Sequence, residues 1–176
     1  MKKASRFMPK YIPKKASNLA LFVFAALAVA IVIYQPIWLA VIAGISLLMF
    51  VWSYFEQPRI ERYFETLCRE RKGLSICEFA REFDTRVIDT WIIRAVYEQL
   101  QEALPTKQMV PISARDHLFD VLNLDEDDLD LDLVEEIAQR TSRSLENYES
   151  NPYYGKVTTA RNLVLFFNHQ PIANAT

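Results

Sequence analysis

Two apolar runs near the start of the chain constrain its fold more than any other feature. They cover Asn18–Tyr34 and Ile37–Phe55, contain no charged residue, and are separated only by Gln35-Pro36. An α-helix rises about 1.5 Å per residue, so each run is long enough to cross a hydrocarbon core of roughly 30 Å. A chain of 176 residues is too short to bury both runs in a soluble core. The sequence therefore predicts a two-helix transmembrane hairpin over residues 18–55.

The distribution of basic residues predicts the orientation of this hairpin. The connecting turn has no charge, whereas basic residues precede the first run and follow the second: Lys2, Lys3, Arg6, Lys10, Lys14, Lys15, Arg59, Arg62, Arg69, Arg71 and Lys72. Because Lys and Arg stay on the cytoplasmic side, both termini are predicted to be cytoplasmic. A cleaved signal peptide ending near Ala30 is the alternative, since a basic start precedes the first run. The apolar sequence that continues beyond Ala30 argues against it.

Charge also divides the chain into two parts. Residues 1–72 carry 11 basic and 4 acidic side chains, a net charge of +7, and residues 73–176 carry 9 basic and 18 acidic side chains, a net charge of −9. The basic part matches anionic lipid, whereas the acidic part is repelled by lipid and by nucleic acid. We therefore expect two partners: membrane lipid, through the two spans and their basic flanks, and a protein with a basic surface. No nucleic acid is expected.

Residues that usually carry chemistry are sparse. The three glycines stand apart, which excludes phosphate-cradling loops. Cys68 and Cys77 form no CxxC motif, and a reducing cytosol disfavours a disulfide between them. Cys77 has apolar neighbours and is predicted to lie in the core, and His117 and His169 are distant from both cysteines in the sequence. We predict no catalytic residue, no cofactor, no metal and no enzymatic activity.

The rest of the chain has helical periodicity. Residues 56–73 predict an amphipathic stalk helix that lies on the bilayer or packs on the domain; its apolar face comprises Ile60, Tyr63, Phe64, Leu67 and Cys68. An acidic domain over residues 74–176 is predicted to contain four helices: Ile76–Phe83, Arg86–Ala103, Asp128–Thr141 and Thr158–His169. Ser75 and Glu78 form a capping-box pattern before the first of them. The sequence thus predicts an all-α protein, with residues 1–17 as a basic cytoplasmic N-terminus.

The apolar positions of these helices predict which side chains are buried. In the second helix of the domain the buried stripe comprises Val87, Ile88, Trp91, Ile92, Ala95, Val96 and Leu100. In the third helix it comprises Leu133, Val134 and Ile137, and in the last it comprises Leu163, Val164, Phe166 and Phe167. About 100 residues suffice for a small four-helix core.

Four short motifs, in order, resemble the acyl carrier protein family. Leu118-Phe119-Asp120-Val121-Leu122-Asn123-Leu124-Asp125 resembles the loop before the carrier site, and Asp128–Gln139 resembles the acidic second helix. Lys156-Val157-Thr158-Thr159-Ala160-Arg161-Asn162-Leu163 and Phe167-Asn168-His169-Gln170 resemble the start and end of the last helix. Arg86–Ala103 fits the first helix by position, so the resemblance covers residues 86–170. It implies an acyl-carrier-like four-helix domain with a protein-docking second helix.

The chain departs from this family at the carrier site. The family attaches phosphopantetheine to the serine of an Asp-Ser-Leu motif, but this chain has Asp125-Glu126-Asp127-Asp128-Leu129. No serine or threonine lies between Ala114 and Arg140. The chain therefore resembles the uncharacterised bacterial acyl-carrier-like proteins that lack the serine. This resemblance implies the fold and a docking helix but no acyl shuttling. Together with the two apolar runs and their basic flanks, it leads us to expect a multi-pass protein of the bacterial inner membrane.

The acidic run from Asp125 to Glu136 has three interpretations. It is a solvated helix start, a docking face for a basic protein, or a divalent-cation loop. The docking face would comprise Glu126, Asp127, Asp128, Asp130, Asp132, Glu135 and Glu136. Asp128, Asp130 and Asp132 have the spacing of a calcium loop, but Leu133 and Gln139 occupy the positions where glycine and glutamate are required.

Together these features predict a non-enzymatic, membrane-tethered protein-interaction module. Two alternatives remain open. One is an accessory or immunity-type inner-membrane protein that acts through its transmembrane hairpin. The other is a docking partner of a lipid or acyl-transfer enzyme.

Overall fold

A computed structural model of the chain describes residues 4–13, 18–34, 37–125 and 133–173. These residues form six α-helices and no strand, which confirms the all-α fold. The helices are α1 (Asn18–Tyr34), α2 (Ile37–Glu70), α3 (Ile76–Arg81), α4 (Thr90–Ala103), α5 (Val134–Thr141) and α6 (Ala160–His169). The predicted turn at Gln35-Pro36 and the acidic positions 126–132 lie outside the described residues.

Helix α2 is the candidate membrane span. Within the described residues, only its stretch Ala40–Glu70 is long and apolar enough to cross a membrane. None of the side chains in the most apolar part of this stretch is buried. Helix α1 is apolar, but with 17 residues it is shorter than the roughly 18 that usually identify a span. The stalk predicted over residues 56–73 is not a separate helix, because α2 continues through Pro58. Proline lacks an N–H, so the Tyr54 carbonyl receives no helical hydrogen bond at this point.

The chain divides into two compact units. The larger unit contains Met1–Tyr11 and Phe64–Thr176, and the smaller unit contains Ile12–Tyr63. A 3-10 turn, Ser5–Phe7, forms in the segment before α1 and contacts α4. The short segment Ala4–Tyr11, here called the N-terminal arm, therefore packs on the acidic part of the chain although more than 50 residues separate them.

Helix α4 is the centre of the larger unit and contacts α3, α5 and α6. Burial confirms the predicted stripe from Ile88 to Leu100 except at Trp91, which is half-buried. The prediction for Val87 is wrong, because its side chain is 73% exposed. The physical reason is the position of the helix start: the Asp89 side chain accepts a hydrogen bond from Trp91 N at 2.9 Å and caps α4 there. Val87 therefore lies in the preceding turn.

Helix α3 is shorter than predicted and differs from the prediction in two details. Ser75 occupies the N-cap position, but its side chain makes no capping hydrogen bond. Cys77 is exposed, so its predicted place in the core is wrong; on this single short helix it is Phe79 that is buried. The Phe79 ring lies 5.2 Å from that of Tyr97. Burial raises the pKa of the Tyr97 hydroxyl, and a hydrogen bond with Gln101 opposes that shift.

The end of α2, from Phe64 onward, belongs to the larger unit and packs within it. Phe64 and Leu67 are buried. Just beyond the helix, Arg71 Nη1 lies 2.6 Å from Asp116 Oδ2 and donates to the Pro111 carbonyl at 3.2 Å. Asp116 is itself buried and also accepts from Ser113 N at 2.8 Å. Paired in this way, the buried carboxylate holds the end of α2 against the loop that follows α4.

Candidate partner-binding site

An apolar cavity of about 680 Å³ opens in the larger unit. It is formed by side chains from the loop after α4, the start of α5, the connection between α5 and α6, and α6 itself. The described residues that line it are Phe119, Val134, Leu145, Tyr148, Tyr154, Gly155, Val157, Thr158, Leu163 and Phe166. We refer to this feature as the apolar cavity. Its volume lies within the range of about 300–1,000 Å³ that is typical of ligand pockets.

Backbone pairing places the loop after α4 beside the start of α6. Leu118 N donates to the Thr158 carbonyl at 2.9 Å, and Ala160 N donates to the Asp116 carbonyl at 3.0 Å. Leu118 is fully buried, so the next residue, Phe119, is directed differently and lines the cavity. Thr159 caps α6 by accepting from Asn162 N at 3.2 Å. These bonds fix one wall of the cavity.

The connection between α5 and α6 forms the rim. The buried Asn151 donates from Nδ2 to the Phe166 carbonyl at 2.9 Å and accepts from Tyr153 N at 3.0 Å, which ties the connection to α6. On either side of it, the rings of Tyr148 and Tyr154 meet edge to face, with their centroids 5.5 Å apart. Both tyrosines are exposed, so the rim presents aromatic surface to solvent.

Acidic residues directly follow several lining residues in the chain. Four lining residues are each followed directly in the chain by an acidic residue: Asp120 after Phe119, Glu135 after Val134, Glu146 after Leu145 and Glu149 after Tyr148. Asp120, Glu146 and Glu149 are exposed, and Glu135 is half-buried. Lys156 is the only cationic side chain directly adjacent in sequence to a described lining residue. The lining is therefore apolar, and the chain positions directly adjacent to it are mostly acidic.

Two of the seven predicted docking residues lie in the described part of the chain. Glu135 adjoins the cavity, whereas Glu136 accepts a hydrogen bond from Gln99 of α4, whose side chain is buried. Glu136 therefore has a role inside the unit. The other five, Glu126, Asp127, Asp128, Asp130 and Asp132, lie outside the described residues, between Asp125 and the lining residue Val134.

A buried arginine connects α4, α5 and the N-terminal arm. Arg140 of α5 is 3% exposed; its guanidinium pairs with Glu98 and donates to Gln99 Oε1. Its Nε donates to the Pro9 carbonyl of the N-terminal arm at 3.3 Å. Arg94 completes the cluster through Glu98 at 2.8 Å. This charge is compensated on all sides, so we assign it a structural role.

The described lining of the apolar cavity is suited to binding apolar groups. Its described lining contains no carboxylate, imidazole, thiol or amine; its polar side-chain groups are the hydroxyls of Thr158, Tyr148 and Tyr154. In the part of the chain that the structure describes, no group of three or more His, Cys, Asp and Glu side chains is arranged to hold a metal ion. Cys68 Sγ contacts the Met109 carbonyl, and His169 Nδ1 contacts the Leu165 carbonyl, so each meets a backbone group.

The sequence indicates some of these residues but not the cavity. The cluster of tyrosines before α6 and the apolar group around Phe119 are visible in the sequence, but their meeting depends on the backbone pairing of residues 114–118 with 158–161. Comparisons of the chain with protein-family models, curated proteins and solved structures found no match. The resemblance to acyl carrier proteins therefore stays a prediction.

Proposed function

We propose that this protein is a non-enzymatic, membrane-tethered interaction module of the bacterial inner membrane, and that its acidic unit binds a protein with a basic surface. The observation that carries this proposal is the apolar cavity, four of whose lining residues are each followed in the chain by a carboxylate. The same chain also contains the long helix α2, and no side chain in the most apolar part of α2 is buried. Binding of a partner explains the first feature and anchoring explains the second.

The N-terminal arm supports a tether with two spans. The arm and residues 64–176 belong to one compact unit, and Arg140 donates to the Pro9 carbonyl within it. The chain thus leaves this unit before α1 and returns to it within α2. If α2 crosses the membrane, the chain must cross a second time to bring the arm back to the same side. Helix α1 is the apolar segment available for that crossing.

Charge supports a basic partner. Residues 73–176 have a net charge of −9, and the exposed carboxylates at the cavity are part of this excess. A surface of one sign steers association with a surface of the opposite sign and suppresses the wrong partners. The tether keeps the unit near the membrane, which raises its effective concentration for partners located there. The acyl-carrier resemblance adds an acidic second helix, which is a docking element in that family.

Neutralising Asp127, Asp128, Asp130 and Asp132 to asparagine in the full chain is expected to weaken capture of a basic partner from solubilised membranes by roughly tenfold. This magnitude corresponds to a loss of about 0.2–1 kcal/mol for each charge pair removed. Capture is quantified by mass spectrometry at two ionic strengths, and the wild-type interaction should weaken at high salt, since screening shortens the range of surface charges. The helical content should stay unchanged.

The matched control neutralises four exposed glutamates elsewhere: Glu56, Glu61, Glu65 and Glu70 to glutamine. This variant removes the same charge and should capture the partner as the wild type does. Equal losses in both variants would mean that only net charge matters, and equal capture by all three proteins would refute the acidic docking face.

Replacing residues 18–55 with an unrelated two-span anchor tests the role of the membrane segment separately. Because we assign recognition to the acidic unit, partner capture should persist after this exchange. Its loss, in a variant that still enters the membrane, would assign specificity to the transmembrane segment, as in an accessory or immunity-type protein.

A further inference from the structure

We infer that the apolar cavity receives apolar side chains from an amphipathic, lysine- or arginine-rich helix of the basic partner. This inference rests on the proposed function and specifies the chemistry of the partner. Helix-in-groove recognition requires an apolar groove for the anchoring side chains and complementary charge around it. The described residues supply both.

The interior of the cavity provides the apolar part of this recognition. Phe119, Val134, Leu145 and Val157 are only half-buried, although each lines the cavity. Leu163 and Phe166 of α6 also line the cavity and are buried. Removing this half-buried apolar surface from water contributes a favourable free energy of about 25 cal/mol per Å². An occupant that brings apolar side chains is therefore favoured.

Charge determines which apolar occupant is favoured. Asp120, Glu146 and Glu149 are exposed and each directly follows a lining residue in the chain, as the half-buried Glu135 does. Asp120 Oδ2 also lies 3.2 Å from His117 Nδ1. These carboxylates attract ammonium and guanidinium groups, but they repel the carboxylate of a fatty acid and the phosphate of a lipid headgroup. A basic helix satisfies both the lining and its surroundings, whereas an anionic lipid satisfies only the lining.

The two rim tyrosines favour the same partner. Tyr148 is 44% exposed and Tyr154 is 50% exposed, and their edge-to-face contact restrains both rings. Exposed aromatic rings attract Lys and Arg side chains through the ring face, and tyrosines are frequent hot spots in protein interfaces. The rim can thus contact the basic face of a helix whose apolar face enters the cavity.

A defined peptide tests the inference. The probe is a synthetic, fluorescein-labelled amphipathic helix with leucine and tryptophan on one face and lysine on the other, titrated into the full-length protein in nanodiscs of neutral lipid. The control peptide has the same composition in an order that creates no apolar face. We expect saturable binding of the amphipathic peptide, measured by fluorescence anisotropy, and at least about tenfold weaker binding of the control peptide.

Two cavity variants and one surface variant complete the test. Leu145→Gln and Tyr154→Ser should each weaken binding of the amphipathic peptide about tenfold, which is typical of hot-spot substitutions. Val87→Gln alters an apolar side chain that is exposed and does not line the cavity, so its binding should equal that of the wild type. Thermal unfolding of each variant establishes that the unit is folded, and Tyr154→Ser should be well tolerated because this side chain is half exposed.

The outcomes separate this inference from the proposed function. Peptide binding that depends on the four aspartates but not on Leu145 or Tyr154 would overturn the cavity inference and leave the proposed function intact. Binding of neither peptide, together with partner capture that ignores the aspartates, would overturn both. Tighter binding of dodecanoate than of the amphipathic peptide, lost in Leu145→Gln, would identify an acyl chain as the occupant and overturn the inference.

Discussion

Replacing Phe167 with alanine is expected to lower the free energy of unfolding of the larger unit by about 3–5 kcal/mol, the usual cost of removing a fully buried phenylalanine. Phe167 of α6 is 0% exposed, and its ring contacts that of Phe166 edge to face at 5.3 Å. Alanine would remove this contact and leave a cavity in the core. Thermal unfolding of the full-length protein in detergent, monitored by near-ultraviolet circular dichroism, should show a midpoint at least about 10 °C lower.

Phe7→Ala is the matched control for this prediction. Phe7 of the N-terminal arm is 62% exposed, so its truncation should cost no more than about 1 kcal/mol. Similar midpoints for Phe167→Ala and Phe7→Ala would contradict the position assigned to α6 in the core.

The second large effect is expected for Arg140→Met. The substitution removes the guanidinium that pairs with Glu98 and donates to Gln99 and to the Pro9 carbonyl. Breaking a buried ion pair costs about 3–5 kcal/mol, and because Glu98 is partly exposed and can be hydrated, we expect about 2–3 kcal/mol here. The N-terminal arm should also be released. Hydrogen exchange should therefore accelerate at the amides of Phe7 and Met8, which donate to Ala4 and Ser5 carbonyls in its turn.

Arg94→Met provides the comparison, since Arg94 pairs with the same glutamate but is more exposed. Loss of this partly exposed pair should cost under about 1 kcal/mol and leave the exchange of the N-terminal arm unchanged. If the two methionine variants behave alike, Arg140 does not hold the N-terminal arm.

Periodicity predicted the parts of the fold that depend on local pattern. All four apolar positions assigned to α6 are buried, because a strong stripe on one helix has only one way to face the core. The errors occur where a helix cap or the shortness of a helix overrides the apolar pattern. Val87 fits the stripe of α4, yet Asp89 caps the helix after it, and Cys77 has apolar neighbours on a helix with only one buried residue.

The candidate site was less accessible to sequence reasoning. Its lining combines Phe119, Val134, the rim tyrosines and α6, and these segments meet through backbone bonds between residues far apart in the chain. The periodicity of apolar residues within one helix carries no information on such pairing. The contact of Arg140 with Pro9 is equally non-local, and the sequence indicated only that both ends of the apolar stretch are basic. The acidic run, in contrast, is directly visible in the order of residues in the sequence.

Anchoring with both flanking segments on one side of the membrane is the claim on which the proposed function depends. Single cysteines introduced at Arg6, Gln35 and Asn147, in a chain whose own Cys68 and Cys77 are replaced by serine, allow labelling from one side with a membrane-impermeant maleimide. The two-span tether predicts that positions 6 and 147 are labelled from the same side of sealed vesicles and position 35 from the opposite side. Labelling of positions 6 and 147 from opposite sides would require an odd number of spans and would contradict the account.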